Sequence, residues 1–394
     1  MIGKQEKTAT KIIHCADLHL DSKLHTNLDR ERAKKRRDEL LHNFERLAAY
    51  ASDENVEAVL IAGDLFDRET VSALAKNTVL SVIRSHPAIR FYYLKGNHDT
   101  AGFPDGPSNL FLFGNRWKTW SEGRDGGIAV SGIELTGENG ASAHSSLRLD
   151  PRAFNIVMMH GQITGEGSGF RADSERRSFP GAASEAQAGP GAGIIDLRAL
   201  RGRGIDYLAL GHIHAGREGR LDERGIYCYP GCLEGRGFDE PGRHGFVLLE
   251  IDEKTHAMKR SFIPFARRTV HSLTVDVSGC RTTAGMKELV DDALRRAGCG
   301  RQDMAEIVLK GEIDVECEKD TGYILESLLG RLFFARLKDA TVLCIDPEEY
   351  LYDESLRGEF VRLVMADPSI SEEEKTAVIR SGFLAMDGED PCGG

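Results

Sequence analysis

Residues 58–68 read Ala58-Val59-Leu60-Ile61-Ala62-Gly63-Asp64-Leu65-Phe66-Asp67-Arg68. Five apolar residues without polar alternation fit a strand buried on both faces. The Gly-Asp that ends the run sets a carboxylate just past its carboxyl end. Four other segments are built the same way. Lys11–Ala16 runs into Asp17-Leu18-His19, and Phe91–Gly96 into Asn97-His98-Asp99. Asn155–Met159 runs into His160-Gly161, and Tyr207–Gly211 into His212-Ile213-His214. In open α/β sheets, ligands bind beyond the carboxyl ends of the strands, so five such ends can converge on one site. Each motif alone is an ordinary turn or cap. Five in one chain, each after a β-rich run, point to a shared centre of imidazole, carboxylate and amide donors. Without thiolate, that donor set suits Mn²⁺, Fe²⁺ or Zn²⁺.

Outward from these strands, amphipathic helical patterns alternate with apolar runs through the first 250 residues, which argues for an α/β architecture. A helix is expected from about Asp29 to Tyr50, capped by Asp29, and another near Ser72–Ser85. Further strands are expected at Gly127–Gly132, Gly225–Tyr229 and Phe246–Ile251. Gly161–Gly193 is rich in Gly, Ala and Ser, carries Arg171, Arg176 and Arg177, and reads as a long mobile loop that contacts DNA or a partner. A boundary is expected near Phe265–Thr269, giving units 1–268 and 269–394. The second unit reads as a small α+β domain with strands Ser272–Val277, Ala305–Lys310 and Arg336–Cys344. Its helices are expected at Thr283–Ala297, Gly322–Leu332, Ser355–Ala366 and Ser371–Met386.

The 394 residues carry a net charge of −11, 41% hydrophobic and 29% charged residues. This composition excludes a mainly disordered chain and a uniformly basic DNA coat. The charge is uneven: 14 basic against 26 acidic residues from Thr269 onward, 37 against 36 before it. The second unit is thus too acidic to clamp DNA by itself. Local basic clusters lie at Lys34–Arg37, at Arg198 with Arg201 and Arg203, and at Arg267-Arg268; phosphate contacts need such clusters. The eight cysteines form no CxxC pair, which fits a reduced, cytoplasmic setting. Cys15 and Cys228 fall inside strands and read as buried thiols. No run approaches the roughly 20 apolar residues needed to span a bilayer.

The five motifs, D-x-H, G-D, G-N-H-D, H-G and G-H-x-H in that order, resemble those of the calcineurin-like metallophosphoesterase superfamily over roughly residues 10–250. The resemblance implies two packed sheets flanked by helices, followed here by a C-terminal capping domain. It implies two divalent metal ions, manganese first among the candidates. Asp17, His19 and His214 would bind one; Asn97, His160 and His212 would bind the other; Asp64 would bridge them. Two cations roughly 3.5–4 Å apart need a shared anionic ligand, and they generate a hydroxide that attacks phosphorus in line. His98 would assist the leaving group. Asp67 resembles the carboxylate that orients such a histidine, and Arg68 is placed to contact phosphate.

The opening His19-Leu20-Asp21-Ser22, the segment Tyr229-Pro230-Gly231-Cys232 to Glu240 followed by His244-Gly245-Phe246, and Ser355–Arg362 are similar to the SbcD/YhaO branch of DNA-end nucleases. That implies DNA as substrate in DNA repair, an SMC-like coiled-coil ATPase as partner (this chain has no Walker A motif of its own), and a homodimer. A small-molecule phosphoesterase and a non-catalytic scaffold of the ATPase remain as alternatives; the retention of every motif residue, His98 included, argues against the scaffold.

Overall fold

The computed structural model describes residues 9–24, 28–67, 71–100, 102–103, 105–123, 127–165, 177–178 and 193–386. The chain divides into two compact units, Met1–Val270 and His271–Gly394.

The first unit opens with strand Ala9–Cys15, helix Arg30–Asp53, strand Ala58–Ala62, helix Ala73–Ser85 and strand Arg90–Leu94. Each helix begins where a short polar side chain takes a free backbone N–H: Asp29 accepts from Arg32 N at 2.8 Å and Ser72 from Ala75 N at 3.2 Å. The three strands are parallel and belong to a six-stranded sheet ordered Met258–Pro264, Gly245–Asp252, Ala9–Cys15, Ala58–Ala62, Arg90–Leu94, Leu110–Leu112. A seven-stranded sheet runs Lys118–Glu122, Ile128–Gly132, Phe154–His160, Tyr207–Gly211, Ile226–Tyr229, Arg217–Arg220, Arg177–Ser178.

Side-chain alternation sorts the strand residues into three apolar layers. Along Ala58–Ala62, residues Ala58, Leu60 and Ala62 pack between the sheets against Ile156, Met158, Tyr207 and Ala209. Val59 and Ile61 point the other way, onto Leu40, Phe44, Leu47, Val79 and Ile83 of the two helices. On the outer face of the second sheet, Val157, Met159, Leu208 and Leu210 meet Leu197, Leu200 and Ile205. Both faces of the central strands are buried, so their sequences are continuous apolar runs, and each fully buried Leu, Ile or Val contributes about 1.5–3 kcal/mol. The expected α/β sandwich of two flanked sheets is what forms.

Among the described residues, seven strands of the first unit escaped the sequence reading, and the two longest are Lys118–Glu122 and Met258–Pro264. Both are edge strands with partly exposed, polar faces, so no apolar run marks them.

The second unit is α+β. Strands Val270–Asp276, Met304–Asp314 and Phe334–Cys344 form one sheet, the last two parallel. Helices Thr283–Arg296 and Thr321–Leu329 contribute Met286, Val290, Leu294, Ile324 and Leu328 to its core. Helices Leu356–Ala366 and Glu372–Met386 share a smaller core of Val361, Val364, Ile379 and Phe383. Among the described residues, no helix is long and apolar enough to cross a membrane.

Candidate metal centre

The segments that leave the central strands turn sharply. Asp17, His19, Asp64 and His212 all have positive φ, at 52°, 45°, 50° and 108°. Such a conformation costs an ordinary residue roughly 1–2 kcal/mol and persists where surrounding contacts impose it. The contacts here are mutual: Asp17 N donates to Gly63 O at 3.1 Å, and His19 N to Asp64 O at 3.0 Å. Gly63 and Gly96 are demanded by space. A Cβ on Gly63 would stand 2.1 Å from His160 Nδ1, and one on Gly96 2.1 Å from Asp64 Oδ1.

These turns bring two groups of donors together. Asp17, His19 and His214 offer ligand atoms that lie within 4.8 Å of one another, and so do Asp64, His160 and His212. Asn97 joins the second group, its Oδ1 3.0 Å from His160 Nε2 and 3.3 Å from His212 Nδ1. Asp64 Oδ2 lies 3.3 Å from His160 Nε2 and 3.9 Å from His19 Nε2, between the two groups.

The tautomers follow from what the other ring nitrogens meet. His160 Nδ1 donates to Ala62 O at 2.8 Å. His214 Nδ1 faces Glu240 Oε1 at 2.7 Å, and His19 Nδ1 faces Asp67 Oδ1 at 3.0 Å. Carboxylates and carbonyls only accept, so His160 and His214 carry a proton on Nδ1 and turn the Nε2 lone pair inward, while His19 Nδ1 stands beside Asp67 without an aligned hydrogen bond. His19 Nε2 and His214 Nε2 are 3.1 Å apart. Two ring nitrogens so close need a shared proton or a cation between them, and the donor set therefore fits a cation.

Burial and neighbouring charges set how these groups titrate. Burial opposes charge on His160, yet the Asp64 carboxylate beside it prevails and holds the imidazole up to about 9. Burial likewise opposes charge on His214, and Glu240 drives it upward. His19 falls to about 4 through burial and the Arg236 charge. Burial pushes the Asp17 carboxyl up to about 6. Asp64 is held well below the usual carboxylate range: its burial is outweighed by His160 and His19. His212 falls to about 4 through burial and the His160 charge, so proton affinity in the centre is divided: it rises on His160, His214 and Asp17 and falls on His19 and His212.

The calcineurin-like phosphoesterase profile matches residues 10–216, just over half of the chain, and spans all five motifs. The chain is a calcineurin-like phosphoesterase. Members of this family are divalent-metal phosphoester hydrolases. This phosphoesterase is 26% identical over 320 residues to the uncharacterized metallophosphoesterase YhaO of Bacillus subtilis, a match covering 74% of this chain and 70% of that one. It is 26% identical over 278 residues to the DNA double-strand break repair protein Mre11 of Aeropyrum pernix, covering 68% and 64%. To Mre11 of Haloferax volcanii it is 33% identical over 131 residues, covering 32% and 28%. The chain thus spans less than two thirds of either Mre11 protein.

Of the anticipated site residues of this phosphoesterase, Asp17, His19, Asp64, Asn97, His160, His212 and His214 gather in one place. His98 is exposed; its backbone N–H donates to Asp64 Oδ1 at 2.9 Å, and its ring centroid lies 5.2 Å from that of His19. Asp67 serves a different histidine from the one expected. It pairs with His19 and, at 3.0 Å, with Arg236 Nη1 rather than orienting His98. Arg68 lies outside the described residues, as do Arg171, Arg176 and most of the expected 161–193 loop. Within that stretch, Gln162–Thr164 pairs with Ile194–Asp196, and Arg177–Ser178 adds an edge strand.

Three residues support the ligands from behind, and the sequence reading gave no role to two of them, Glu240 and Arg236. Asp99 accepts backbone N–H bonds from Leu65, Phe66 and Gly96 at 3.0, 2.8 and 3.1 Å, which pins the turn that carries Asp64. Glu240 backs His214, and Arg236 links Glu240 to Asp67. Two basic clusters are also altered. Arg36 is fully buried, bound to Glu39, Glu234 and Gly235 O, and Arg268 is buried against Glu39. Neither can meet a phosphate; Lys34 and Lys35 remain exposed.

Proposed function

We propose that this phosphoesterase is a dinuclear metal-dependent phosphodiesterase that cleaves DNA. The observation that carries the metal part is the pair of facing donor groups, with Asp64 between them and Nε2 atoms turned on one another at 3.1 Å. In this reading Asp17, His19 and His214 hold one ion, Asn97, His160 and His212 the other, and Asp64 bridges. When bound, the ions lower the pKa of water to yield a nucleophile at neutral pH and offset phosphate charge. The chain's own residues do the rest. Glu240 fixes the His214 tautomer, Asp67 stands beside His19 Nδ1, Asp99 holds the Asp64 turn, and exposed His98 gives a proton to the leaving oxygen. The nitrogen and oxygen donors favour Mn²⁺ over ions that seek thiolate, with Fe²⁺ and Zn²⁺ as competitors.

DNA as the substrate, in repair, is supported by the likeness to proteins named for double-strand break repair and by exposed Lys34 and Lys35. The acidic second unit is proposed to cap the cleft or to dock an SMC-like coiled-coil ATPase, with a homodimer as the working assembly in the cytoplasm. Arg68 is proposed to touch phosphate.

The test is degradation of linear duplex DNA, labelled at either end, with Mn²⁺, with Mg²⁺ and with chelator, beside an Asp64→Asn variant and phosphomonoester and phosphodiester chromogens. Manganese-dependent cleavage that vanishes in the variant supports the nuclease. Turnover of the chromogens alone would replace it with a small-molecule phosphoesterase. Silence on every substrate by a protein that binds manganese would favour a scaffold subunit.

A further inference from the structure

We propose that Arg236 is a positioning residue that makes the two halves of the centre unequal, so that the Asp17–His19–His214 half holds its cation more tightly than the Asn97–His160–His212 half. The inference rests on the metal reading above and deepens it.

Arg236 spans two carboxylates. Its Nη1 donates to Asp67 Oδ1 at 3.0 Å, while Nη2 and Nε donate to Glu240 Oε1 at 2.7 and 3.2 Å. The same two oxygens face ring nitrogens: Asp67 Oδ1 is 3.0 Å from His19 Nδ1, and Glu240 Oε1 is 2.7 Å from His214 Nδ1. One planar fork therefore orients both imidazoles of one half. The fork is itself anchored. The Arg236 backbone N–H donates to Glu240 Oε2 at 2.8 Å, and nearby Glu234 is bound by Arg36 at 2.9 Å.

Among the described residues the other half shows no such device: His160 Nδ1 meets a backbone carbonyl, and His212 turns Nδ1 inward to the exposed Asn97, 3.3 Å from its Oδ1, with no carboxylate paired behind the ring. A carboxylate partner raises the basicity of a ligating imidazole and fixes its ring, and losing such a partner costs about 10–100-fold in metal affinity. The guanidinium charge opposes this by repelling a cation. Two carboxylates flank it, so the trio is net negative and the positioning effect prevails. Lysine separates the two contributions, because it keeps the charge but cannot bridge two carboxylates as a planar fork does.

The experiment is a Mn²⁺ titration of the full chain, with free aqueous ion followed by electron paramagnetic resonance and the fold by circular dichroism and melting in chelator. Wild type is expected to bind in two unequal steps, the tighter removed by His214→Gln and the weaker by His212→Gln. Arg236→Lys and Arg236→Met should each weaken the tighter step about 10–100-fold and leave the weaker within about threefold. If Arg236→Met fails to fold, Arg236→Lys and Glu240→Gln carry the test. Equal steps in wild type, or a tighter step untouched by Arg236→Lys, would overturn the inference. So would parallel weakening of both steps, the mark of a merely structural role. Failure of wild type to bind manganese at all would instead overturn the metal reading itself.

Discussion

His19 and His214 point Nε2 at Nε2 across 3.1 Å, while both Nδ1 atoms are turned to carboxylates. Two ring nitrogens at that distance compete for a single shared proton, and a cation can take its place with both lone pairs as ligands. Folded protein should therefore gain stability from metal that the unfolded chain cannot bind. At a free Mn²⁺ concentration about 100 times Kd the gain is about 2.7 kcal/mol, a rise of several degrees in Tm. The check is a melting series in Mn²⁺ and in chelator for wild type and His214→Gln. A wild-type Tm indifferent to metal would contradict the cation site.

Asp99 predicts a second effect, on the Asp64 turn. It is the common acceptor for three backbone N–H groups from two different strand ends. Asp99→Ala strands all three, and each buried unsatisfied donor costs about 1–3 kcal/mol. The expected loss is about 3 kcal/mol or more by urea unfolding, with Asp99→Asn milder because it keeps an acceptor oxygen. A loss under about 1 kcal/mol for the alanine variant would show that the turn holds itself.

The metal-facing residues were legible because fully buried parallel strands announce themselves as apolar runs, and the first polar residue after each run sits at a sheet end. Their support was not. Asp67 meets Arg236 across 169 positions, and neither lies in an element whose period reveals its direction. Arg36 is different, since its placement could have been read. It shares the buried stripe of its helix with Leu40, Asn43, Phe44 and Leu47, at i+4, i+7, i+8 and i+11, and a charge on that stripe must find partners inside. Reading Lys34–Arg37 as one basic patch ignored that period. The edge strands Lys118–Glu122 and Met258–Pro264 were missed for a related reason: half-exposed faces leave a mixed sequence that resembles a loop.

The partners that Arg36 finds give a third prediction. Glu234 accepts from Arg36 Nη1 at 2.9 Å and from the backbone of Arg267 at 2.7 Å, and it also binds Asn43. It therefore ties the helix Arg30–Asp53 to the segment bearing Arg236 and to the end of the first unit. Removing one member of a buried ion pair costs about 3–5 kcal/mol, because the other charge is left without compensation. Glu234→Gln and Arg36→Met should each lose stability on that scale in denaturant titrations. The double variant should lose less than the sum of the two. Full additivity would mean that the two residues act separately.

His14 gives the last prediction, and it concerns pH. Its ring is fully buried in strand Ala9–Cys15, with Nδ1 2.8 Å from Tyr207 Oη and Nε2 without a hydrogen-bond partner. Burial lowers its pKa to about 3, against about 6.5 in an unfolded chain. Below pH 6.5 the unfolded state then binds a proton that the folded state refuses, so protonation favours unfolding. The contribution of this group to stability is fully present above pH 6.5 and is lost as pH falls, by up to about 1.4 kcal/mol per pH unit until about pH 3. Replacing the imidazole with the non-titrating amide of His14→Gln removes that slope whatever it does to absolute stability. Urea unfolding of wild type and variant between pH 7.5 and 5, with chelator present to silence the metal centre, should give curves whose difference changes by about 2 kcal/mol in all, the slope reaching about 1.4 kcal/mol per unit only toward pH 5. Parallel curves would mean that His14 accepts a proton inside the folded protein, and that water reaches the space between the sheets.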